Sequence, residues 1–182
     1  MITTERLVLR PFKDEDAQDV YAYLKKPTVN CFACMKLDDV EAAKKDIEGR
    51  KDDELYLAIV LKQNGKVIGE IGGHLEGNDP EQVDTDTLSP CWMLHPDYQG
   101  KGYMYEAAYA YYDWLFKEKG IRRIYTYTED YNIACQKLCI KLGMRKEGEF
   151  KEFVSFIKDD EGNPIYENTW QYAILKKEWE KE

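Results

Sequence analysis

The segment from Leu88 to Lys119 constrains the fold more than any other. An apolar run, Leu88 to Leu94, stops at His95-Pro96; Gly100 and Gly102 follow, and a helical pattern runs from Lys101 to Lys119. Met104, Ala108, Tyr111 and Leu115 recur on one stripe of that helix, and Tyr105, Tyr109, Tyr112 and Phe116 on the adjacent one. A helix apolar over two stripes needs more cover than a surface position gives, and a sheet supplies it. The chain has to build a sheet with this helix laid across it.

The strands for that sheet are legible on both sides. Arg6 to Arg10 alternates and stops at Pro11. Asp14-Glu15-Asp16 caps a helix carrying Ala17, Val20, Tyr21 and Leu24, which ends at Pro27. A second helix is expected from Asp38 to Arg50. Strands at Glu54 to Lys62 and Lys66 to His74 are joined by Asn64-Gly65, a strong hairpin signal. A polar loop, Glu76 to Asp86, leads to the run at Leu88. After Gly120 come a strand at Arg122 to Thr128 and a helix at Asn132 to Leu142, closed by Gly143. Strands at Met144 to Lys158 and Ile165 to Leu175 flank a turn-rich loop at Asp159 to Pro164. Hairpins dominate the first half and strand–helix alternation begins only near Leu88. The class is α+β, a mixed, mostly antiparallel twisted sheet flanked by helices, in one domain spanning residues 1–182.

Composition narrows the chemistry. The 182 residues carry 26 Lys and Arg against 35 Asp and Glu, a formal charge of −9, with a pI near 4.9. Such a surface argues against nucleic acid as partner and favours neutral or cationic ones. No run approaches the roughly 20 apolar residues of a spanning helix, and Met1 to Arg6 shows no secretory pattern, so no membrane association is expected. Five cysteines, an odd number, are expected as free thiols in a reducing compartment, which places the chain in the cytoplasm. With only His74, His95, Ser89 and Ser155, no G-x-S-x-G turn and no H-E-x-x-H pair exist. Cys31 and Cys34 form a C-x-x-C and Cys135 and Cys139 lie one helical turn apart, but both pairs read as packing, and no metal is expected.

The chemistry gathers at Trp92-Met93-Leu94-His95-Pro96-Asp97-Tyr98-Gln99-Gly100-Lys101-Gly102-Tyr103-Met104. Two glycines let the backbone approach a ligand closely. The free amides of the helix start converge on one point, where the dipole favours an anion. The spacing is neither the Walker loop nor the dinucleotide fingerprint.

The segment resembles the acetyl-CoA signature of the GNAT superfamily of N-acetyltransferases, [QR]-x-x-G-x-[GA], at Gln99-Gly100-Lys101-Gly102-Tyr103-Met104. His95-Pro96-Asp97-Tyr98 upstream, Glu106-Ala107 downstream, Asn132-Ile133-Ala134-Cys135 and Lys141-Leu142-Gly143-Met144 agree in spacing. The likeness runs from Thr4 to the last hairpin and is greatest to the branch of ribosomal-protein alanine and serine N-acetyltransferases. It implies acetyl-CoA as co-substrate, in a V-shaped gap between the strand at Leu88–Leu94 and that at Arg122–Thr128. By the same resemblance, amides from Gly100 to Met104 hold the pyrophosphate, and Trp92 and Leu94 offer main-chain groups to the pantetheine arm. An amide at Leu94 polarises the thioester carbonyl, and Asn132 bonds the pantetheine. Met104 stands where a small residue is usual, Cys135 where a serine is usual, and Cys139 where some relatives carry a tyrosine.

A thiol at Cys135 is matched to protonating the CoA thiolate. For the base, Glu129 and Glu70 are the candidates; Glu70 and His74 share one face of their strand. His95 reads as a strand-end residue. The expected activity is acetyl transfer to a primary amine, a protein N-terminus or a small amine, cationic ones included, by direct attack on the thioester. A non-catalytic acyl-CoA-binding or sensing module, and an interaction domain docking through Tyr103 to Phe116, are the other readings. Monomer and homodimer both stay open.

Overall fold

The computed structural model describes residues 1–76 and 85–180. Its strands are β1 (Ile2–Thr3), β2 (Leu7–Arg10), β3 (Leu57–Leu61), β4 (Val67–Leu75), β5 (Thr87–Leu94), β6 (Arg123–Glu129), β7 (Arg145–Lys158) and β8 (Pro164–Leu175). The helices are α1 (Ala17–Leu24), α2 (Val40–Arg50), α3 (Tyr103–Lys117), α4 (Ile133–Lys141) and α5 (Lys176–Trp179), with 3-10 turns at Asp14–Asp16, Asn30–Met35 and Pro96–Tyr98. All eight strands join one sheet in the order β1-β2-β3-β4-β5-β6-β8-β7. Every neighbouring pair is antiparallel except β5 and β6.

The elements follow the sequence pattern, with differences that have local causes. The strand expected from Glu54 starts only at Leu57. The Leu55 amide is held by the Asp53 carboxylate at 2.8 Å and the Tyr56 amide by the Asp53 carbonyl, a turn that keeps these residues out of the ladder. The pair Ile2–Thr3 is too short for any alternation to announce. The terminal α5 is fixed by the Glu178 carboxylate, which accepts from the Leu175 amide at 2.8 Å. Most of the polar loop expected at Glu76 to Asp86 lies outside the described residues.

Two cores sandwich the sheet. α3 and α4 cover one face, with Tyr111, Tyr112, Leu115 and Phe116 buried against Leu7, Ile59, Ile68 and Leu88. α1 and α2 cover the other, with Val20, Leu24 and Ile47 against Ala58, Val60 and Val67. The second stripe of α3 has its own cover. Trp179 of α5 packs on Tyr109, Tyr112 and Phe116 at ring separations of 4.6, 6.0 and 5.7 Å, and its indole donates to Asp113 at 3.1 Å. The aromatic stripe of α3 is thus mostly core, which leaves little of it as a docking face.

The decisive feature is where the sheet comes apart. β5 and β6 pair only at Thr87↔Arg123 and Leu88↔Ile124, and then run on to Leu94 and Glu129 without pairing. The His95 amide bonds the Ile68 carbonyl and the Glu76 amide bonds the Thr87 carbonyl, so the odd positions of β5 spend their main-chain groups on β4. The even positions point theirs at β6. Pro90 is the first even position after Leu88 and has no N–H to give, so the parallel ladder stops there without costing β4 a bond.

Candidate active site

The opened sheet leads directly into the glycine turn. His95 starts the Pro96–Tyr98 turn, its Nδ1 accepting from the Asp97 amide at 3.2 Å. Gly100 and Gly102 then take φ of +72° and +81°, the left-handed region that a side chain resists. Gly102 caps α3, whose first helical bond is Glu106 amide to Gly102 carbonyl at 3.1 Å. The amides of Tyr103, Met104 and Tyr105 therefore have no partner within the helix and face outward at its positive end.

The polar side chains of this segment bond back to its own main chain. Gln99 Nε2 donates to the Leu94 carbonyl at 3.1 Å, tying the turn to the end of β5. Lys101 Nζ donates to the Asp97 carbonyl at 2.7 Å. Met104 packs against the core under α3, so the larger residue does not fill the cradle. What the segment leaves for a ligand is main chain.

Arg6 and Glu106 brace the helix start. Arg6 donates to the Lys101 carbonyl at 3.0 Å, lies 4.4 Å from the Tyr103 ring centre, and pairs with Glu106 at 2.6 Å. Glu106 also accepts from the Thr4 hydroxyl at 2.6 Å and the Arg6 amide at 2.7 Å. Burial raises its carboxyl, but these donors together outweigh that and hold it below the usual carboxylate range. An acid in the first turn would repel a bound anion; Arg6 neutralises it. A groove of about 610 Å³ opens beside this point, lined by Arg6, Gly102, Tyr105, Glu106 and Lys141.

The gap itself is walled by main chain on one side. Trp92 and Leu94 are even positions of β5: Trp92 directs its amide and carbonyl across it, and Leu94 its amide, the Leu94 carbonyl being taken by Gln99. On the other side β6 ends at Glu129, and Asn132 caps α4. The Asn132 side chain accepts from the Cys135 amide at 3.2 Å and donates to Glu129 at 3.4 Å, so both its ends are engaged within the chain. Gln136, which carried no sequence signal, is buried and donates to the carbonyls of Glu129 and Asp130 at 3.2 and 2.9 Å, pinning the β6–α4 turn.

Three groups meet across the open end: Cys135, Glu129 and Cys31. The neighbouring Cys139 thiol lowers the Cys135 thiol against the opposing effect of burial. Cys31, on the turn Asn30–Met35, is pushed well up, first by burial and then by the hydrogen bond and charge of Glu129. Cys31 read as packing in the sequence because its partner Glu129 lies about a hundred residues away. All five cysteines are free thiols. Among the described residues no group of three or more His, Cys, Asp or Glu is placed to hold a metal ion, and no helix is long and apolar enough to cross a membrane.

The other carboxylate, Glu70, sits on the α1–α2 face and is fully engaged. Arg50 donates to it from both nitrogens at 2.8 and 3.0 Å, and the Tyr23 hydroxyl at 2.7 Å. A carboxylate locked by a two-point guanidinium contact is poorly placed to take a proton from an amine. The register that puts His74 on the same face sets it against Tyr56, at 6.2 Å between rings. The Tyr56 hydroxyl in turn lies 2.6 Å from Cys91, whose thiol burial pushes up to about 11.

Residues 6–145 match the family model described as an acetyltransferase (GNAT) domain. An uncharacterized N-acetyltransferase of Bacillus subtilis, YnaD, is 32% identical over 179 residues, 98% of each chain. Among solved structures, a GNAT-family acetyltransferase from Bacillus anthracis superposes with a TM-score of 0.83 at 26% identity, covering 97% of this chain and 99% of that one. The ribosomal-protein-S5-alanine acetyltransferase of Vibrio fischeri superposes at 0.71 with 23% identity over 97% of each chain, a likeness of fold alone.

Proposed function

The chain belongs to the GNAT acetyltransferases, and from that premise we propose that it carries the acetyl group of acetyl-CoA to a primary amine by direct attack on the thioester. One observation carries this reading. The parting of β5 from β6 beyond Leu88 opens straight onto the two left-handed glycines and the free amides of α3. Those amides and the helix dipole suit a pyrophosphate, with Gly100, Lys101, Gly102, Tyr103 and Met104 giving main chain and Gln99 holding the turn. The Trp92 amide and carbonyl suit the amides of a pantetheine arm, and the Leu94 amide suits the developing oxyanion.

The protons can be followed. The amine nitrogen, once neutral, forms the bond to the carbonyl carbon and gives up a proton to Glu129. The carbon–sulfur bond then breaks, and the leaving thiolate takes a proton from Cys135. Glu129 returns its proton to Cys135 within the same cluster, so the products are the N-acetyl amine and the free thiol of CoA. Cys135 suits this role because its lowered thiol is a better acid than an ordinary one. Asn132 orients Glu129 and the first turn of α4 together.

Calorimetric titration with acetyl-CoA tests the cradle. Wild type is expected to bind and Gly102→Asp to lose binding, because a side chain strains the backbone at φ +81° and its carboxylate, beside Arg6, repels an anion at the helix start. A Glu129→Gln variant is expected to bind acetyl-CoA normally and to lose turnover by about 100-fold. Equal binding by wild type and Gly102→Asp would remove the cradle assignment.

A further inference from the structure

Resting on the acetyl-transfer reading, a class can be given to the acceptor. We propose that the acceptor amine carries a second, non-reacting positive charge, seated on Glu167 between β6, β7 and β8. The registers bring the parts together. Glu129 of β6 stands opposite Thr169 of β8, Phe150 of β7 stands opposite the same Thr169, and Glu167 lies two positions along β8. Alternation puts Tyr127, Glu129, Phe150, Glu167 and Thr169 on one face of the sheet. The turn Asn30–Met35 closes over that face through Asn30 and Cys31.

Two buried carboxylates share this place without a cation. Glu129 is 3% exposed and Glu167 6%. Glu167 accepts from Asn30 Nδ2 at 2.5 Å and from the Tyr131 hydroxyl at 3.2 Å; Glu129 accepts from Asn132. Among the described residues neither has a Lys or Arg partner within ion-pair distance, unlike buried Glu70 and Asp16, which have Arg50 and Arg10. Buried carboxylates are ordinarily paired, and here the missing cation is a ligand's.

A second observation points into the same space. Thr169 is 3% exposed, and its Oγ1 has no hydrogen-bond partner among the described residues. It lies between the two carboxylates by register, where a buried hydroxyl without a partner is rare unless a ligand supplies one. Beside it stand Tyr127, Phe150 and Phe153, with ring centres 4.9 to 6.0 Å apart; Tyr127 and Phe153 are 41% and 49% exposed. Exposed aromatic faces next to buried carboxylates take the stem and charge of an alkylammonium. Two residue steps along β8, about 6.6 Å, separate the Glu129 level from Glu167. That span fits a short diamine whose first nitrogen reacts near Glu129.

The test compares acetylation of 1,5-diaminopentane and 1-aminopentane by thiol release, in wild type, Glu167→Gln and Phe153→Ala, with acetyl-CoA binding measured on each. The expected wild-type preference in kcat/KM is about tenfold or more for the diamine, collapsing toward unity in Glu167→Gln through KM and shrinking in Phe153→Ala. A wild type that binds acetyl-CoA but shows no diamine preference, or acetylates neither amine, overturns the proposal and leaves the cofactor reading standing. So does a preference untouched in the variants. Should Glu167→Gln not fold, the exposed Phe153→Ala decides. A protein that fails to bind acetyl-CoA overturns the acetyl-transfer reading instead. Calorimetric binding of the diamine alone, abolished in the variants, would then still support the cation pocket, and no binding would overturn it.

Discussion

At the scale of single residues, Glu106 shows how the cradle is kept electropositive. Its carboxylate takes three donors from Thr4 and Arg6, and its native pKa lies below the ordinary value. A group depressed in the folded state stabilises fully above its unfolded pKa and loses that contribution as pH falls through the lower native one. Glu106→Gln is therefore expected to cost about 1–2 kcal/mol at neutral pH. The gap between variant and wild type should close below about pH 4. Urea unfolding of both proteins at several pH values checks it; a gap independent of pH would mean the donors matter only as neutral hydrogen bonds.

At the scale of elements, Pro90 ends the pairing of β5 with β6. Replacing it by valine restores an N–H aimed at β6 and a residue that favours strands. Pro90→Val is expected to let the parallel ladder run past Leu88, narrowing the gap. Acetyl-CoA should bind several-fold more weakly while Tm holds or rises. Calorimetry beside thermal melting reads both quantities, and unchanged affinity would mean that the helices on the two faces, rather than Pro90, hold the strands apart. The same scale explains the double stripe of α3. Periodicity located both stripes, but Trp179, which covers the second, lies some sixty residues further on.

At the scale of the whole molecule, the Glu70–Arg50–Tyr23 cluster ties the sheet to α1 and α2. Removing one partner of a buried ion pair strands the other, so Glu70→Ala is expected to lose about 3–5 kcal/mol of stability. A merely structural Glu70 predicts that kcat per folded molecule stays within about twofold, whereas a base would cost 100-fold or more. Guanidinium unfolding and active-site-normalised kinetics separate the two. The overall charge of −9 adds a field that draws cations to the molecule.

The α+β class, nearly every strand and helix, and the glycine turn were legible along the chain. These are encoded locally: alternation, helical spacing, Asn64-Gly65, and Gly100 and Gly102 before a capped helix all lie within a few residues. The turn proposed as a main-chain cradle is readable for the same reason, since a backbone site needs only the right turn in the right order. Side-chain partners were decided by the tertiary structure. Glu70 and Glu129 look alike along the chain, yet one meets Arg50 and the other meets Cys31, Asn132 and the neighbourhood of Glu167. Glu167 and Thr169 carry no motif and reach the proposed acceptor pocket only because β8 inserts between β6 and β7. Charge pairing and burial act through space, from 20 residues between Arg50 and Glu70 to 137 between Asn30 and Glu167, and no local pattern records them.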